Sequence, residues 1–387
     1  MVVVSEIPLT APTAAARSGR EPLRVLFFLP DLDLGGAQRT VVNLVNNLPR
    51  AGVVPMLAVA RADGPAREWL AKDISFVDLA AGRLRGAALP LRRLITATRP
   101  DLVFATIAHA NVVATLATLG LSHRPAIVLR ETNSHRHRPD LSWASRVAIA
   151  WAYRRADAVV ALSSGVGREL TESYGLDPRR VVTIHNPVEV EHIAANARTA
   201  IRPWTADAPV VIGLGRLVAQ KGFDLLLRAF AAAAPDNARL VIIGDGPDRG
   251  ALQHLAGELR IEGRVGIRTS VENIAPWLTH AAMFVLSSRW EGFGHVIVEA
   301  MACGTPVIAA DCPYGPADIV RHDRDGLLVP ATLGGLTDGM KKLFGDPALA
   351  RRLGAAAVES SRRFSADRIA ARYADLFHRL CAAKEAA

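Results

Sequence analysis

Short apolar runs alternate along this chain with longer segments of helical period. In the first half the runs are RVLFFLP (24–30), PDLVFATI (100–107), AIVLR (126–130), AVVALS (158–163) and RVVTIHNP (180–187). Their length and their Val, Ile and Phe content predict buried strands. Past a Gly35-Gly36 turn, AQRTVVNLVNNL reads as an amphipathic helix. Strands alternating with helices predict a parallel sheet with crossover helices. The pattern lapses near 188–207, where a linker is expected. It resumes with PVVIGLGR (209–216), ARLVIIGDG (238–246), GRVGIRT (263–269), MFVLSS (283–288), TPVIAA (305–310) and GLLVP (326–330), and helical segments follow 332. The expected architecture is α/β. A loose tail (1–20) precedes two doubly wound, Rossmann-like domains (21–190 and 205–365), with a ligand cleft at the carboxyl ends of the strands.

A length of 387 residues suits two domains rather than one core. Cys303, Cys312 and Cys381 form neither a disulfide framework nor a metal-ligand spacing, which points to a reducing compartment. No run of 18 uninterrupted apolar residues occurs, so no membrane-spanning helix is expected. The formal net charge is +9, and its distribution matters more than its size. Twelve Arg stand against three acids between Arg83 and Arg155, whereas the chain after 200 is nearly balanced. A basic half fits nucleic acid, an anionic membrane or an anionic substrate, or is simply a solvated surface. With 5% aromatic residues and no nucleic-acid module, base stacking is disfavoured and no nucleic-acid partner is expected. SWASRVAIAWAYRRAD (142–157) fits either an interfacial amphipathic helix or an ordinary half-buried one.

Three stretches of the second half carry chemistry. GRLVAQKGFD places Arg216 after a strand and Lys221 at a helix start, flanked by Gly215 and Gly222. Two cations at such a place suit a diphosphate. IIGDGP sets Gly244 and Gly246 after a strand, either to approach a ligand or to make a tight turn. RWEGFGHVIVEA places Glu291 beside Gly292 and Gly294, with a helix starting near Phe293 to His295. Glu299 follows inside the apolar run that includes Val296. A carboxylate on a buried helix needs donors. A sugar or ribose diol would supply them, and so would a neighbouring arginine.

Taken together, GGAQR (35–39), GRLVAQKGFD (215–224), IIGDGP (242–247) and EGFGHVIVEAMACGTPVIAAD (291–311) resemble the group 1, family 4 retaining glycosyltransferases of the GT-B fold. The resemblance covers about 24–330. It implies that Glu299 holds the ribose of a nucleotide-sugar, that Glu291 faces the donor sugar, and that Arg216 and Lys221 neutralise the diphosphate. Donor contacts would come from Gly35, Gly36, Gly215, Gly244, Gly246, Gly292, Phe293, Gly294, His295 and Val296. A closing helix at 366–385 would return to the first domain. No metal and no cofactor are implied; Asp31-x-Asp33 mimics a metal motif but precedes the Gly35 loop. Many members carry a histidine after the strand DLVFATI. Thr106 or Ile107 falls at that place here, with His109 just beyond as the candidate catalytic residue or a solvent-facing helix-start histidine. RETN and DCPYGPADIV resemble a subset that builds bacterial polysaccharides and lipid-linked oligosaccharides, with Asp318 where a Glu is usual. Arg130 and Asn133 would then line the cleft. The expected activity is hexosyl transfer with retention, from a nucleotide-sugar (a UDP-sugar favoured, a GDP-sugar open) to a lipid-linked or polysaccharide acceptor. The expected place is the inner face of the cytoplasmic membrane. A catalytically idle scaffold is the alternative.

Overall fold

A computed structural model describes residues 21–33, 35–50, 52–132, 141–197, 208–269, 271 and 273–386. The 1–20 tail, half of the expected linker (198–207) and Asn133 lie outside these residues. The chain divides into two compact units: Val188–Ser365, and the residues before it joined by those from Ala366 onward.

Among the described residues the first unit contains a parallel sheet of seven strands: β1 (Leu23–Leu29), β2 (Val53–Val59), β3 (Ser75–Asp78), β4 (Leu102–Thr106), β5 (Ala126–Glu131), β6 (Ala158–Ala161) and β7 (Val181–Thr183). Their order is β3-β2-β1-β4-β5-β6-β7. The second unit's sheet comprises β8 (Val210–Leu214), β9 (Arg239–Ile243), β10 (Val265–Arg268), β11 (Met283–Leu286), β12 (Val307–Asp311) and β13 (Leu327–Pro330), in the order β10-β9-β8-β11-β12-β13. In both sheets the order reverses beside the first strand, between β1 and β4 and between β8 and β11. Loops part at such a point and leave a crevice outside the strand ends.

β2 and β3 escape a reading by apolar runs. β2 contains Pro55, which normally argues against a strand flanked on both sides. The register explains its tolerance. Pro55 pairs with Val25 on one side, whereas pairing with β3 begins only at Met56. The missing N–H therefore removes no ladder bond to β3. The segment expected as a linker is also partly ordered. Val190–Asn196 is a helix of the second unit, and Val188 donates its N–H to Phe364 O at 2.9 Å.

The helix Ala366–Glu385 belongs to the first unit's core because Ile369, Tyr373, Phe377 and Cys381 recur at helical spacing and are buried. Phe27, Phe104, Tyr373 and Phe377 form an aromatic cluster with ring centroids 5.1–6.2 Å apart. Lys384 fixes the helix end by donating to Arg124 O and Pro125 O, both at 2.8 Å. Phe377→Ala is expected to cost about 3–5 kcal/mol. A urea titration should show an earlier first-unit transition with the second unit's transition unmoved.

Candidate active site

The loops after β8 and β11 meet at the second sheet's switch point, and they carry the charged residues singled out above. After β8, Arg216 is exposed, and Ala219–Lys221 forms a single turn of 3-10 helix. Gly222 then caps the helix Phe223–Ala233 with φ +60°. A Cβ on Gly222 would lie 2.2 Å from Ser287 O, so only glycine lets the two loops come this close. After β11, Glu291 folds back into the protein and is 5% exposed. The Lys221 ammonium donates to Glu291 Oε1 at 2.5 Å, and the Ser288 hydroxyl donates to the same oxygen at 2.7 Å. A buried carboxylate is costly unless paired; here a lysine 70 residues away in sequence supplies the charge. The Arg216 guanidinium, by contrast, has no side-chain hydrogen bond or ion pair among the described residues and stands ready for an anion.

Glu299 lies on the helix His295–Ala302 and is 9% exposed. Burial, with a smaller contribution from this carboxylate, pushes the adjacent Cys303 thiol up to about 12. The helix is capped by Gly294 at φ +101° with no side-chain cap. A helix start of this kind suits an anion or a hydroxyl. Gly292, His295 and Val296 are partly exposed at this turn. The Phe293 side chain is buried against Phe364, centroids 5.5 Å apart. Only its backbone remains for a ligand.

Gly244 and Gly246 have an identifiable packing role. A Cβ on Gly244 would sit 1.8 Å from Gly215 O, and one on Gly246 2.4 Å from Leu217 O. Both glycines have φ near +155°. Asp245 O accepts from Leu217 N–H at 2.8 Å. The Gly-x-Gly pair thus lets the β9 loop lie against the loop that carries Arg216.

In the first unit, Gly35 caps the helix Gly36–Asn47, again without a side-chain cap. Nothing lies within 4 Å of where a Gly36 Cβ would be. Asp31 does not stand free: Gln38 Nε2 and Asp33 N–H both donate to its carboxylate, at 2.7 and 3.3 Å. His109 is exposed in the first turn of the helix Ala108–Ala117. The residue before that helix, Ile107, has φ +74°. That conformation is strained for a β-branched side chain, and sequence patterns give no sign of it.

Arg130 is the clear correction. Expected at the cleft, it lies on β5 and is 1% exposed. Its guanidinium donates to Thr106 Oγ1 at 3.1 Å and to Asn186 Oδ1, beside Tyr373. It is an internal brace at the place where the chain leaves the unit. Neighbouring Glu131 is equally buried and accepts from the Tyr153 hydroxyl.

The comparisons with known proteins agree with this geometry. Residues 34–192 match the model described as Glycosyltransferase Family 4, and 198–360 match Glycosyl transferases group 1. The chain belongs to the group 1, family 4 glycosyltransferases. Lipopolysaccharide core biosynthesis glycosyltransferase LpsD of Rhizobium meliloti is 29% identical, over 89% of this chain and 95% of its own. Exopolysaccharide phosphotransferase SCO2592 of Streptomyces coelicolor is 35% identical over 59% of this chain, but only 24% of that longer protein is covered. Among solved structures, Anabaena Alr3699/HepE in complex with UDP superposes with a TM-score of 0.78 at 22% identity, covering 92% of this chain and 100% of that one. This likeness shows the GT-B fold.

Lys221→Met would leave the buried Glu291 carboxylate with only the Ser288 hydroxyl as a partner among the described residues. The expected loss is up to about 3–5 kcal/mol, read as a lower melting temperature. Adding Glu291→Gln should recover part of it. An unchanged melting temperature in Lys221→Met would mean that the pair does not form in solution.

Proposed function

We propose that this glycosyltransferase moves a hexose from a UDP-sugar to a lipid-linked or polysaccharide acceptor, with retention of anomeric configuration and without a metal. The observation that carries the reading is the convergence of Arg216, Lys221 and the uncapped helix start at His295 on one switch point. Departure of a nucleoside diphosphate develops negative charge, and preorganised donors stabilise it. In this reading Arg216 grips the phosphates, and Lys221 shares its charge between Glu291 and the leaving group. Glu299 accepts from the ribose hydroxyls, and Glu291 faces the donor sugar. The acceptor hydroxyl's proton passes to the leaving phosphate. The UDP bound to the Anabaena neighbour supports the choice of base, and the lipopolysaccharide relative supports the acceptor class.

The basic character of the first unit supports contact with an anionic membrane surface. Trp143 is 79% exposed, and Val147, one turn further along the helix Trp143–Arg155, is exposed as well. Arg146 and Arg154 flank them around a groove of about 340 Å³ that reaches Tyr174. Apolar tips among arginines suit a headgroup layer. No helix among the described residues is long and apolar enough to cross a membrane.

A panel of UDP-, GDP- and ADP-sugars with EDTA present tests the reading. A UDP-sugar at about 100 times its Kd should stabilise by about 2.7 kcal/mol, and Arg216→Ala and Glu299→Ala should abolish the shift. Turnover should persist in EDTA and fall about 100- to 1000-fold in Arg216→Ala. NMR of the product should show the donor's anomeric configuration. An inverted linkage, or activity that vanishes with EDTA and returns with a divalent cation, would contradict the proposal. Trp143→Ser should weaken co-sedimentation with vesicles containing phosphatidylglycerol, and equal binding by both proteins would remove the membrane contact.

A further inference from the structure

The two loops bearing Lys221 and Glu291 are tied together by a second ion pair, Arg289 with Asp224. Arg289 stands two residues before Glu291, and Asp224 three residues after Lys221. The guanidinium forks onto the carboxylate, Nη1 to Oδ1 at 2.9 Å and Nη2 to Oδ2 at 2.7 Å. Nη1 also donates to Ala219 O at 2.8 Å, inside the turn that ends at Lys221. The Arg289 N–H donates to Gln220 O at 2.8 Å. Gln220 Nε2 returns a bond to Trp290 O, and Ser287 Oγ donates to Lys221 O, each at 2.9 Å. One arginine thus grips the neighbouring loop at Ala219, Gln220 and Asp224, a span that encloses Lys221. It borders a groove with Phe223, Arg228, Asp248, Leu252 and His254, from which Lys221 and Glu291 are absent.

We propose that Asp224 and Arg289 are positioning residues for the transfer reaction: their fork holds the Lys221 turn in register with the Glu291 loop, so that the ammonium meets the donor diphosphate. The proposal rests on the role given to Lys221 above. A half-exposed pair contributes little to stability. Its geometry matters far more, because a displacement of about 1 Å at a reacting group can cost about 100-fold in rate. Lysine has a flexible stem, so its aim depends on the backbone beneath it, and that backbone is what the clasp fixes. Arg289 also holds the Asp224 carboxyl below the usual carboxylate range. The fork therefore persists at neutral pH and is lost only as pH falls through that lowered value. Bidentate gripping needs a planar fork, which lysine lacks.

The test compares UDP with uridine, which lacks the diphosphate, by calorimetry and NMR titration. Arg289→Met should weaken UDP binding about tenfold while leaving uridine binding and the melting temperature nearly unchanged. Asp224→Asn should behave alike, Arg289→Lys should be intermediate, and Asp224→Asn/Arg289→Met should be no worse than Arg289→Met. In Lys221→Met/Glu291→Gln, adding Arg289→Met should have no further effect on UDP. The proposal is overturned if UDP and uridine weaken together, if UDP binding is unchanged, or if the two substitutions multiply. A wild-type protein that does not bind UDP removes the proposed function along with this inference. UDP bound equally by wild type and Arg289→Met removes this inference alone.

Discussion

The carboxylate of Glu291 is buried on a glycine loop, and a buried carboxylate must find a cation. Its partner, Lys221, comes from the other side of the sheet's switch point. That pairing joins the loops after β8 and β11, alongside the bonds that Arg289 makes to the same turn. Gly222 permits the approach because a Cβ there would strike Ser287 O. Gly244 and Gly246 bring in the loop after β9 by the same means. The outcome is a site with Arg216 and Lys221 next to a helix start capped by Gly294, which has no side chain to bond it. Electrostatic demand and backbone clearance, rather than apolar packing, shape this end of the molecule.

The first unit meets a comparable demand differently. Arg130 and Glu131 are both buried on β5, and their partners are internal. Arg130 braces Thr106 and Asn186 beside the returning helix that carries Tyr373. Arg130 thus ties β5 to the carboxyl end of the central strand β4, from which Ile107 and His109 emerge. The strained Ile107 is held by that frame, with Asn111 N–H donating to its carbonyl at 2.9 Å. Polar groups serve structure here, whereas in the second unit they stand at the crevice.

Most of the architecture was legible in the sequence, because buried parallel strands read as continuous apolar runs. β2 was not, since Pro55 interrupts it at a place where only the register shows that no bond to β3 is lost. Most of the charged residues that converge on the β8–β11 switch point were legible too. Arg216, Lys221, Glu291 and Glu299 lie in motifs whose glycines announce a close approach. Their pairing was hidden: nothing in the chain says that Lys221 and Glu291, 70 residues apart, share a hydrogen bond. Arg130 was misplaced because a strand-end arginine beside a motif looks the same whether it points into solvent or into the core. Arg289 and Asp224 passed unnoticed because each alone is an unremarkable surface charge.

A crystal structure of the protein with bound UDP tests the central claim most directly. The account predicts the diphosphate at the β8–β11 switch point. Arg216 and Lys221 should lie within hydrogen-bond distance of its oxygens, and the Glu299 carboxylate on the ribose hydroxyls. UDP seated elsewhere, or seated there with Glu299 turned to a protein partner and neither cation on a phosphate, would contradict it.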